Sequence, residues 1–283
     1  MRILYPLAVL ALQCCLFAQQ SDQALQAEHV YGGLPSNGHI LVRTAYVQDW
    51  DAAHKAPRWV AYHLNADYRR TPPRENRWST YRADREIQGE ARKSDYTGVN
   101  ADPIRNYAKG HLAPFMISGG DRDNDGLLAD ENRDGDGEDP GDDPDKKDTV
   151  YQVNFYTNLT PQHHDAFNNS GGVWYGIENR VRTLQEENGD VWVFAGPIWG
   201  PGDYDNIGSN VPVAPMFFQI VIWEDDQGDP AWEAYMTAHH QAKHGDIKEQ
   251  MVSIRHIEAM TGLDFFGALD LGTRERVSSY ETN

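Results

Sequence analysis

The chain has 283 residues, 40% of them hydrophobic, and a formal net charge of -18 at pH 7. A chain of this length can bury a substantial core as one large or two small domains, and its mean hydropathy of -0.68 argues against an integral membrane protein. The acidic balance also argues against a protein that attracts polyanions through its overall charge.

The N-terminal segment differs from the rest of the chain. Arg2 precedes an uninterrupted apolar stretch at residues 3–12, and a mostly small or apolar continuation ends at Ala18. This pattern predicts a secretory signal peptide over residues 1–20 and a secreted or periplasmic product, with no membrane segment after cleavage. A single membrane anchor is the alternative, although the stretch is short for a bilayer. Both cysteines of the chain lie inside this segment, so the mature protein would contain no disulfide.

Aromatic and β-branched runs predict the strands, and helical spacing predicts one helix between them. The predicted strands cover residues 39–47, 58–64, 150–156, 191–195 and 217–223. Apolar residues that recur every three or four positions from Trp174 to Leu184 predict a helix over residues 173–185.

A second helix is predicted near the C-terminus. Asp246 and Glu249 have capping-box spacing, an apolar stripe follows, and Gly262 stands where a helix would stop. We expect this helix to serve packing. Because strands outnumber helices and do not alternate regularly with them, the sequence predicts an α+β fold with a mainly antiparallel sheet.

An Asp- and Gly-rich segment, residues 118–149, interrupts the globular pattern, and we interpret it as an acidic loop insertion into a single domain spanning residues 21–283. Residues 121–148 carry thirteen Asp or Glu against four Lys or Arg, a net of -9 and half of the formal charge. Alternating carboxylates with Gly at the turns are typical of calcium loops. The candidate structural Ca2+ ligands are Asp121, Asp123, Asp125, Asp130, Asp134 and Asp136. A disordered acidic loop is the alternative, since Asn132 stands where an EF-hand would carry Glu.

The residues with the most chemical content flank this insertion. Before it, the tripeptide 109–111 (Lys-Gly-His) supplies a cation, a position open to close approach, and an imidazole that can take a proton from water near pH 7. After it come Asn158, Asn168 and Glu178. Each has an ordinary structural explanation, such as a helix cap for Asn168 and a surface ion pair with Arg182 for Glu178. Because each flank holds only part of the set, we expect one site assembled from both.

In this combination the residues resemble the DNA/RNA non-specific endonuclease family. The family hallmark is Asp-Arg-Gly-His, then Ser/Thr-Asn-x-x-Pro-Gln, then Asn-x-x-x-Trp-x-x-x-Glu. Here residues 108–111, 157–162 and 168–178 match it in order, and the resemblance covers residues 35–270. It implies a ββα-metal nuclease core with helices flanking a central sheet. It also implies metal-dependent hydrolysis of DNA and RNA as substrates, without sequence preference and with 5′-phosphate products.

The resemblance also implies roles for single residues. His111 would be the general base, and Asn168 would be the side-chain ligand of one Mg2+ ion, for which Mn2+ could substitute. Glu178 would hold a water of the ion, and Asn158 would support the site from behind, together with Gln162. Oxygen ligands and retained waters suit Mg2+.

Three cations are expected to stabilise the phosphate: Lys109, Arg182 and Arg77, with Arg82 as an alternative to Arg77. Two positions depart from the hallmark, since Ala108 replaces Asp and Lys109 replaces Arg, which removes a bidentate fork. A third departure is spacing. Asn168 lies six residues before Trp174, where the family has four, so Asn169 is an alternative ligand.

The remaining histidines receive a plainer interpretation. His239, His240 and His244 do not form a zinc-protease site, because Gln241 stands where the Glu base would be, and we interpret them as a solvated helix or loop. His163 and His164 either touch phosphate or form a polar loop. The alternative function is a calcium-binding extracellular protein whose nuclease fold has lost activity, suggested by Ala108, the displaced Asn and the acidic insertion.

Overall fold

The computed structural model describes residues 22–74, 76–97, 106–122, 144–240 and 246–278. The predicted signal peptide, residues 1–20, lies outside this part of the chain. So do five of the six candidate calcium ligands: Asp123, Asp125, Asp130, Asp134 and Asp136. Within the described ranges, no helix has the length and apolarity needed to cross a membrane.

Ten strands and five helices organise the described chain. The strands are β1 (His39–Val42), β2 (Val47–Asp51), β3 (Ala56–Leu64), β4 (Tyr107–His111), β5 (Leu159–His163), β6 (Val191–Ile198), β7 (Asn206–Ile207), β8 (Val211–Pro212), β9 (Met216–Glu224) and β10 (Pro230–Ala238). The helices are α1 (22–29), α2 (Pro144–Val153), α3 (Val173–Asn188), α4 (Ile254–Thr261) and α5 (Leu271–Ser278).

A six-stranded sheet, in the order β1-β2-β3-β6-β9-β10, forms the centre of the fold. Each neighbouring pair in it is antiparallel. This confirms the predicted α+β class with an antiparallel sheet. The predicted strands 58–64, 191–195 and 217–223 are confirmed as the cores of β3, β6 and β9.

Successive side chains of a strand point to opposite faces of the sheet, and helices cover both faces. In β6, Val193 and Ala195 lie in a core with α3, whereas Phe194 lies in a second core with α4 and α5. Both cores are fully buried at these positions. The helix predicted over 173–185 is confirmed as α3, and its Trp174 face packs on the sheet.

The strand predicted over residues 150–156 is wrong. This segment ends α2 and then forms a short 3-10 turn at Tyr156–Asn158. Its buried positions 149, 150, 153 and 154 recur at helical spacing, and the Asn154 amide donates back to the carbonyl oxygen of Val150 at 2.9 Å. Its β-branched composition favoured a strand, but packing of one helical face into the core overrides that preference.

Two predicted elements are divided in the structure. The strand 39–47 is a hairpin, β1 and β2, closed where the N–H of Arg43 donates to the carbonyl of Tyr46 at 2.8 Å. The second helix is a 3-10 turn capped by Asp246 and a separate helix α4 capped by Ser253, with Gly262 at its end in the left-handed region. Its stripe is interrupted because Met251 bridges to β10 instead. The sequence patterns missed the strands β4, β5, β7, β8 and β10 and the helices α1 and α5.

The two ends of the proposed insertion meet at its base. The hydroxyl of Thr149 donates to the carbonyl oxygen of Ser118 at 2.6 Å, and both residues are fully buried. The last part of the segment, from residue 144, is the helix α2. Residues on either side of the insertion can therefore approach each other across this neck.

Candidate active site

The strands β4 and β5 bring the two flanks of the insertion together. They pair antiparallel, with Lys109 opposite Pro161 and His111 opposite Leu159. Lys109 and His111 lie two residues apart and so project from the same face of β4. A short π-helical segment, His164–Asn168, connects β5 to α3. The strands β4 and β5 followed by α3 form the ββα arrangement that the resemblance implies.

His111 is buried, with 8% of its surface exposed. Its Nε2 lies 3.2 Å from Oδ1 of Asn154. The Asn154 amide nitrogen donates to the carbonyls of Trp78 and Val150, at 3.0 and 2.9 Å, so its oxygen must face the imidazole. Nε2 is therefore the protonated nitrogen, and Nδ1, which bonds to none of the described residues, keeps its lone pair. Burial, aided by the charge of Arg74, lowers the pKa of His111 to about 3.

Gly110 is needed because the Gln162 side chain crosses over it. A Cβ atom at position 110 would lie 2.1 Å from the Gln162 Cδ and Oε1 atoms, far inside contact distance. The Gln162 Oε1 accepts a hydrogen bond from the Asn168 amide nitrogen at 2.5 Å. This contact leaves the Oδ1 atom of Asn168 without a hydrogen bond to any described residue. The close approach at Gly110 thus positions Asn168 beside the His111 strand.

The π-helical segment absorbs part of the unusual spacing before Trp174. The N–H of Asn169 donates to the carbonyl of His164 at 2.7 Å, a five-residue step that widens one turn. Asn168 is partly buried and held by Gln162, whereas the Asn169 side chain is exposed. Gly171 adopts a positive φ of 90° in the turn that follows.

Trp174 fixes this segment to α3. Its ring stacks on Phe167 with centroids 5.6 Å apart and an interplanar angle of 13°, and both rings are buried. Glu178 follows one helical turn later, with its side chain 16% exposed and 4.0 Å from the Arg182 guanidinium. Burial raises the pKa of Glu178 to about 7, and the charge of Arg182 only partly opposes this.

Arg74 is a cation of the site that the sequence patterns missed. Its charge lowers the pKa of both His111 and Glu178, which places its guanidinium near both groups. It also donates to the Tyr81 hydroxyl at 3.1 Å. The side chain of Arg77 lies outside the described structure, and the alternative, Arg82, has its guanidinium over the Tyr151 ring at 3.7 Å. The cluster of three arginines in residues 74–82 was the signal, but it could not choose among them.

Lys109 lies between aromatic rings on the same face as His111. Its ammonium is 5.1 Å from the Tyr81 ring centroid and 5.3 Å from that of Tyr96. Burial, together with the charge of Lys93, lowers the pKa of Lys109. The Tyr81 ring lies 5.7 Å from the His111 ring as well, so one tyrosine packs beside both residues.

Asn158 is fully buried and holds the chain that follows His111. Its Oδ1 accepts from the N–H of Ala113, and its amide nitrogen donates to the carbonyls of Ala113 and Val153, all at 2.8 Å. It therefore ties β4 to the end of α2 and faces the backbone.

His239 is not the solvated residue that we expected. It directly follows β10 and is 8% exposed. Its Nε2 accepts from the N–H of His163 and its Nδ1 donates to the carbonyl of Ala214, both at 2.8 Å. A histidine with both nitrogens engaged is a neutral packing residue. His240 is exposed, as expected, and His244 lies outside the described residues.

The donor set suits a hard cation. Among the described residues there is no group of three or more His, Cys, Asp or Glu side chains that could hold a metal. The amide oxygen of Asn168, whose side chain is held by Gln162, lies just before α3, and the Glu178 carboxylate lies on α3. Mg2+ takes oxygen donors of this kind while it keeps most of its waters.

Comparisons with known proteins identify the family and the fold. The model of the family described as DNA/RNA non-specific endonuclease matches residues 25–271. The mitochondrial nuclease EXOG of Danio rerio is 25% identical over 268 residues, covering 89% of this chain and 68% of that protein. A nuclease of Serratia marcescens is 24% identical over 270 residues, covering 92% and 89%. A chain in the crystal structure of the EndoG/EndoGI complex has the same fold, with a TM-score of 0.64 at 21% identity, covering 84% of this chain and 90% of that chain.

Proposed function

The chain belongs to the DNA/RNA non-specific endonuclease family, and from this we infer that it is a Mg2+-dependent nuclease that cleaves DNA and RNA without sequence preference. The observation that carries the proposal is the juxtaposition across β4 and β5. It joins an imidazole whose tautomer is set by Asn154 to an Asn168 oxygen that is set by Gln162.

In this proposal His111 acts as the general base. Its Nδ1 takes a proton from a water molecule as the water oxygen attacks phosphorus. The bond from phosphorus to the 3′ oxygen then breaks, and that oxygen takes a proton from solvent water, which leaves a 3′-hydroxyl on one product and a 5′-phosphate on the other. Burial keeps the ring neutral at pH 7, and the negative charge of a bound phosphate would raise its pKa toward a value useful for proton transfer.

Cations around the phosphate would stabilise the charge that grows during attack. Lys109 shares a strand face with His111, Arg74 lies near both His111 and Glu178, and Arg182 lies one turn after Glu178. Arg77 remains a further candidate. Mg2+, held by Asn168 with Glu178 behind it, would supply Lewis-acid stabilisation of the phosphate and the leaving oxygen; Mn2+ has similar ligand preferences.

Lack of base preference follows from the kind of groups in the catalytic set. They are cations, amides and carboxylates, which address phosphate and metal and carry no sequence information. Since the chain is acidic overall, we expect binding to depend on these local cations and on the metal, with little long-range attraction.

One experiment tests the function. Purified protein is incubated with plasmid DNA and with RNA in the presence of Mg2+, with and without a chelator. We expect cleavage of both, loss of cleavage with the chelator, and a fall of at least about 100-fold in His111→Ala. His164→Ala is the matched control, since that side chain contacts the exposed Asp165 instead of the site. Equal residual cleavage by wild type and His111→Ala would refute the catalytic assignment. If a ligase joins the product ends without prior phosphorylation by a kinase, the products carry 5′-phosphates.

Localisation and calcium are separate parts of the proposal. We propose that residues 1–20 direct export, with Edman sequencing of the exported protein as the test: a mature chain still beginning at Met1 would exclude a cleaved signal peptide.

We also propose that the Asp-rich insertion binds structural Ca2+. Thr149, which contacts Ser118 at the base of the insertion, lies in α2, so we expect bound Ca2+ to raise the melting temperature. An unchanged melting temperature on titrating Ca2+ into chelated protein would sink that idea.

A further inference from the structure

A second cleft, of about 560 Å³, opens at the end of β4 and β5 opposite to His111. Tyr107 and His163, which pair across these strands, form its floor. Tyr204 lines one side, and the carboxylates of Asp203 and Asp205 stand exposed at its rim. None of these five residues belongs to the proposed catalytic set.

His163 is the side chain in this cleft that indicates a ligand. Only 8% of its surface is exposed, and it lines the cleft. Its main-chain N–H is bound to His239, but neither of its ring nitrogens bonds to a residue in the described part of the chain. The ring nitrogens are not fully enclosed by protein, so they open onto the cleft and can form hydrogen bonds with a molecule bound there.

The walls of the cleft are held rigidly by neighbouring rings. The Tyr107 and His163 rings have centroids 4.5 Å apart, and His239 packs behind His163 at 4.6 Å. Tyr204 packs edge-on against Trp199 at 5.0 Å, and its hydroxyl donates to the carbonyl of Gly200. A preformed aromatic cleft binds flat rings at little entropic cost.

The charge of the cleft favours a neutral group over a phosphate. Asp203 and Asp205 are exposed carboxylates, and burial lowers the pKa of His163, so that its ring is neutral near pH 7. The remaining titratable groups at the cleft are His239, which is engaged by the backbone, and the exposed His240. Carboxylates repel phosphate and accept hydrogen bonds from N–H donors.

We propose that this cleft is a nucleobase subsite, which takes an unstacked base of a single-stranded substrate. The base would pack against the ring of Tyr204, which is only partly buried, and its exocyclic amino group would donate to Asp203, Asp205 or the His163 ring. Tyr107 and His111 are four residues apart on β4, about 13 Å, which is a few nucleotides at the 3.4 Å rise of a stacked strand. This inference rests on the proposed nuclease function.

The catalytic set itself gives no base preference, so any preference on single-stranded substrates would come from this subsite. Adenine, cytosine and guanine carry an exocyclic amino group, whereas thymine carries oxygen at those positions. The enzyme should therefore cleave oligo(dC) and oligo(dA) faster than oligo(dT), by about tenfold if one hydrogen bond to a carboxylate is gained. Duplex DNA, whose bases stay stacked, should show no such difference.

The test compares wild type with the double variant Asp203→Asn/Asp205→Asn, whose changes lie at exposed positions. The variant should lose the preference for oligo(dC) over oligo(dT) and keep its rate on duplex DNA. Asp226→Asn, an exposed carboxylate in the β9–β10 turn, is the matched control and should keep the preference. A wild-type protein without preference, or a double variant that retains it, would overturn the subsite.

Binding separates this inference from the proposed function. The same labelled oligonucleotides are titrated with chelated wild-type protein, so that affinity is measured without cleavage. If chelated protein prefers oligo(dC) but adding Mg2+ produces no cleavage, the subsite stands and the nuclease proposal fails. If cleavage occurs while affinity and rate are the same for each oligonucleotide, the nuclease stands and the subsite fails.

Discussion

The Oδ1 atom of Asn154 lies 3.2 Å from Nε2 of His111, and both residues are buried. Because the Asn154 amide nitrogen is engaged by two carbonyls, this contact sets the tautomer of the imidazole and leaves Nδ1 as the proton acceptor. One residue at the end of α2, across the insertion from β4, thus prepares the proposed base.

Asn154→Leu keeps the size of the side chain and removes the acceptor. We expect kcat to fall about 10- to 100-fold, as when other partners of functional histidines are lost, with little change in KM because substrate contacts remain. Steady-state kinetics on a DNA oligonucleotide would measure this. A rise in KM with unchanged kcat would mean that Asn154 serves substrate binding instead.

Asn154→Asp changes charge at the same position. Burial and Arg74 hold the pKa of His111 at about 3, and a neighbouring carboxylate would raise it by favouring the protonated ring. The base must be neutral, so activity is lost as pH falls through the raised pKa, and the acidic limb of the kcat/KM profile should move to higher pH. Gln227→Glu, in an exposed turn, is the control. Coinciding acidic limbs for the variant and wild type would contradict the assignment.

Gly110→Ala should disturb both stability and activity. The new methyl would meet Gln162 at 2.1 Å, and such overpacking costs about 1–3 kcal/mol. It would also displace the partner of Asn168. Adding Gln162→Ala should recover most of the free energy of unfolding but not the activity, measured by urea denaturation and cleavage rate. Recovery of both would show that Gln162 has no positioning role.

Asn168→Ala and Asn169→Ala form a matched pair for the metal. The Asn168 amide is held by Gln162 with its oxygen free, and Asn169 is exposed. We expect Asn168→Ala to raise the Mg2+ concentration for half-maximal activity by about 10- to 100-fold and Asn169→Ala to leave it near wild type. The opposite result would assign the ligand to Asn169.

Glu178→Gln should stabilise the metal-free protein at alkaline pH while impairing cleavage. Burial raises the folded-state pKa from 4.5 to about 7, so the unfolded chain ionises first, and this group costs stability progressively as pH rises through that window. At pH 8 the variant should be more stable by about 3 kcal/mol, and at pH 4 the two should be equal. Chemical denaturation at both pH values, with EDTA present, measures the difference; a less stable variant at pH 8 would contradict it.

Part of the fold could be predicted from local sequence patterns, and part could not. The aromatic and β-branched runs of β3, β6 and β9 and the helical stripe of α3 are local patterns, and they predicted those elements correctly. Residues 150–156, which include the last turn of α2, were predicted as a strand. Their β-branched residues carry a local preference for strand, and burial of one helical face overrides it. β4 was missed because Lys109 and Gly110 interrupt any alternating pattern.

The sequence by itself determined the family, the α+β class and the identity of His111, Asn168 and Glu178 as residues of interest, because those follow from residue types in a fixed order. Only the tertiary structure decided that Asn154 sets the His111 tautomer, that Arg74 lies near both His111 and Glu178, and that Gly110 makes room for Gln162. These are contacts between segments separated along the chain, and a separation in sequence does not specify which side chains meet when a sheet pairs and a helix packs.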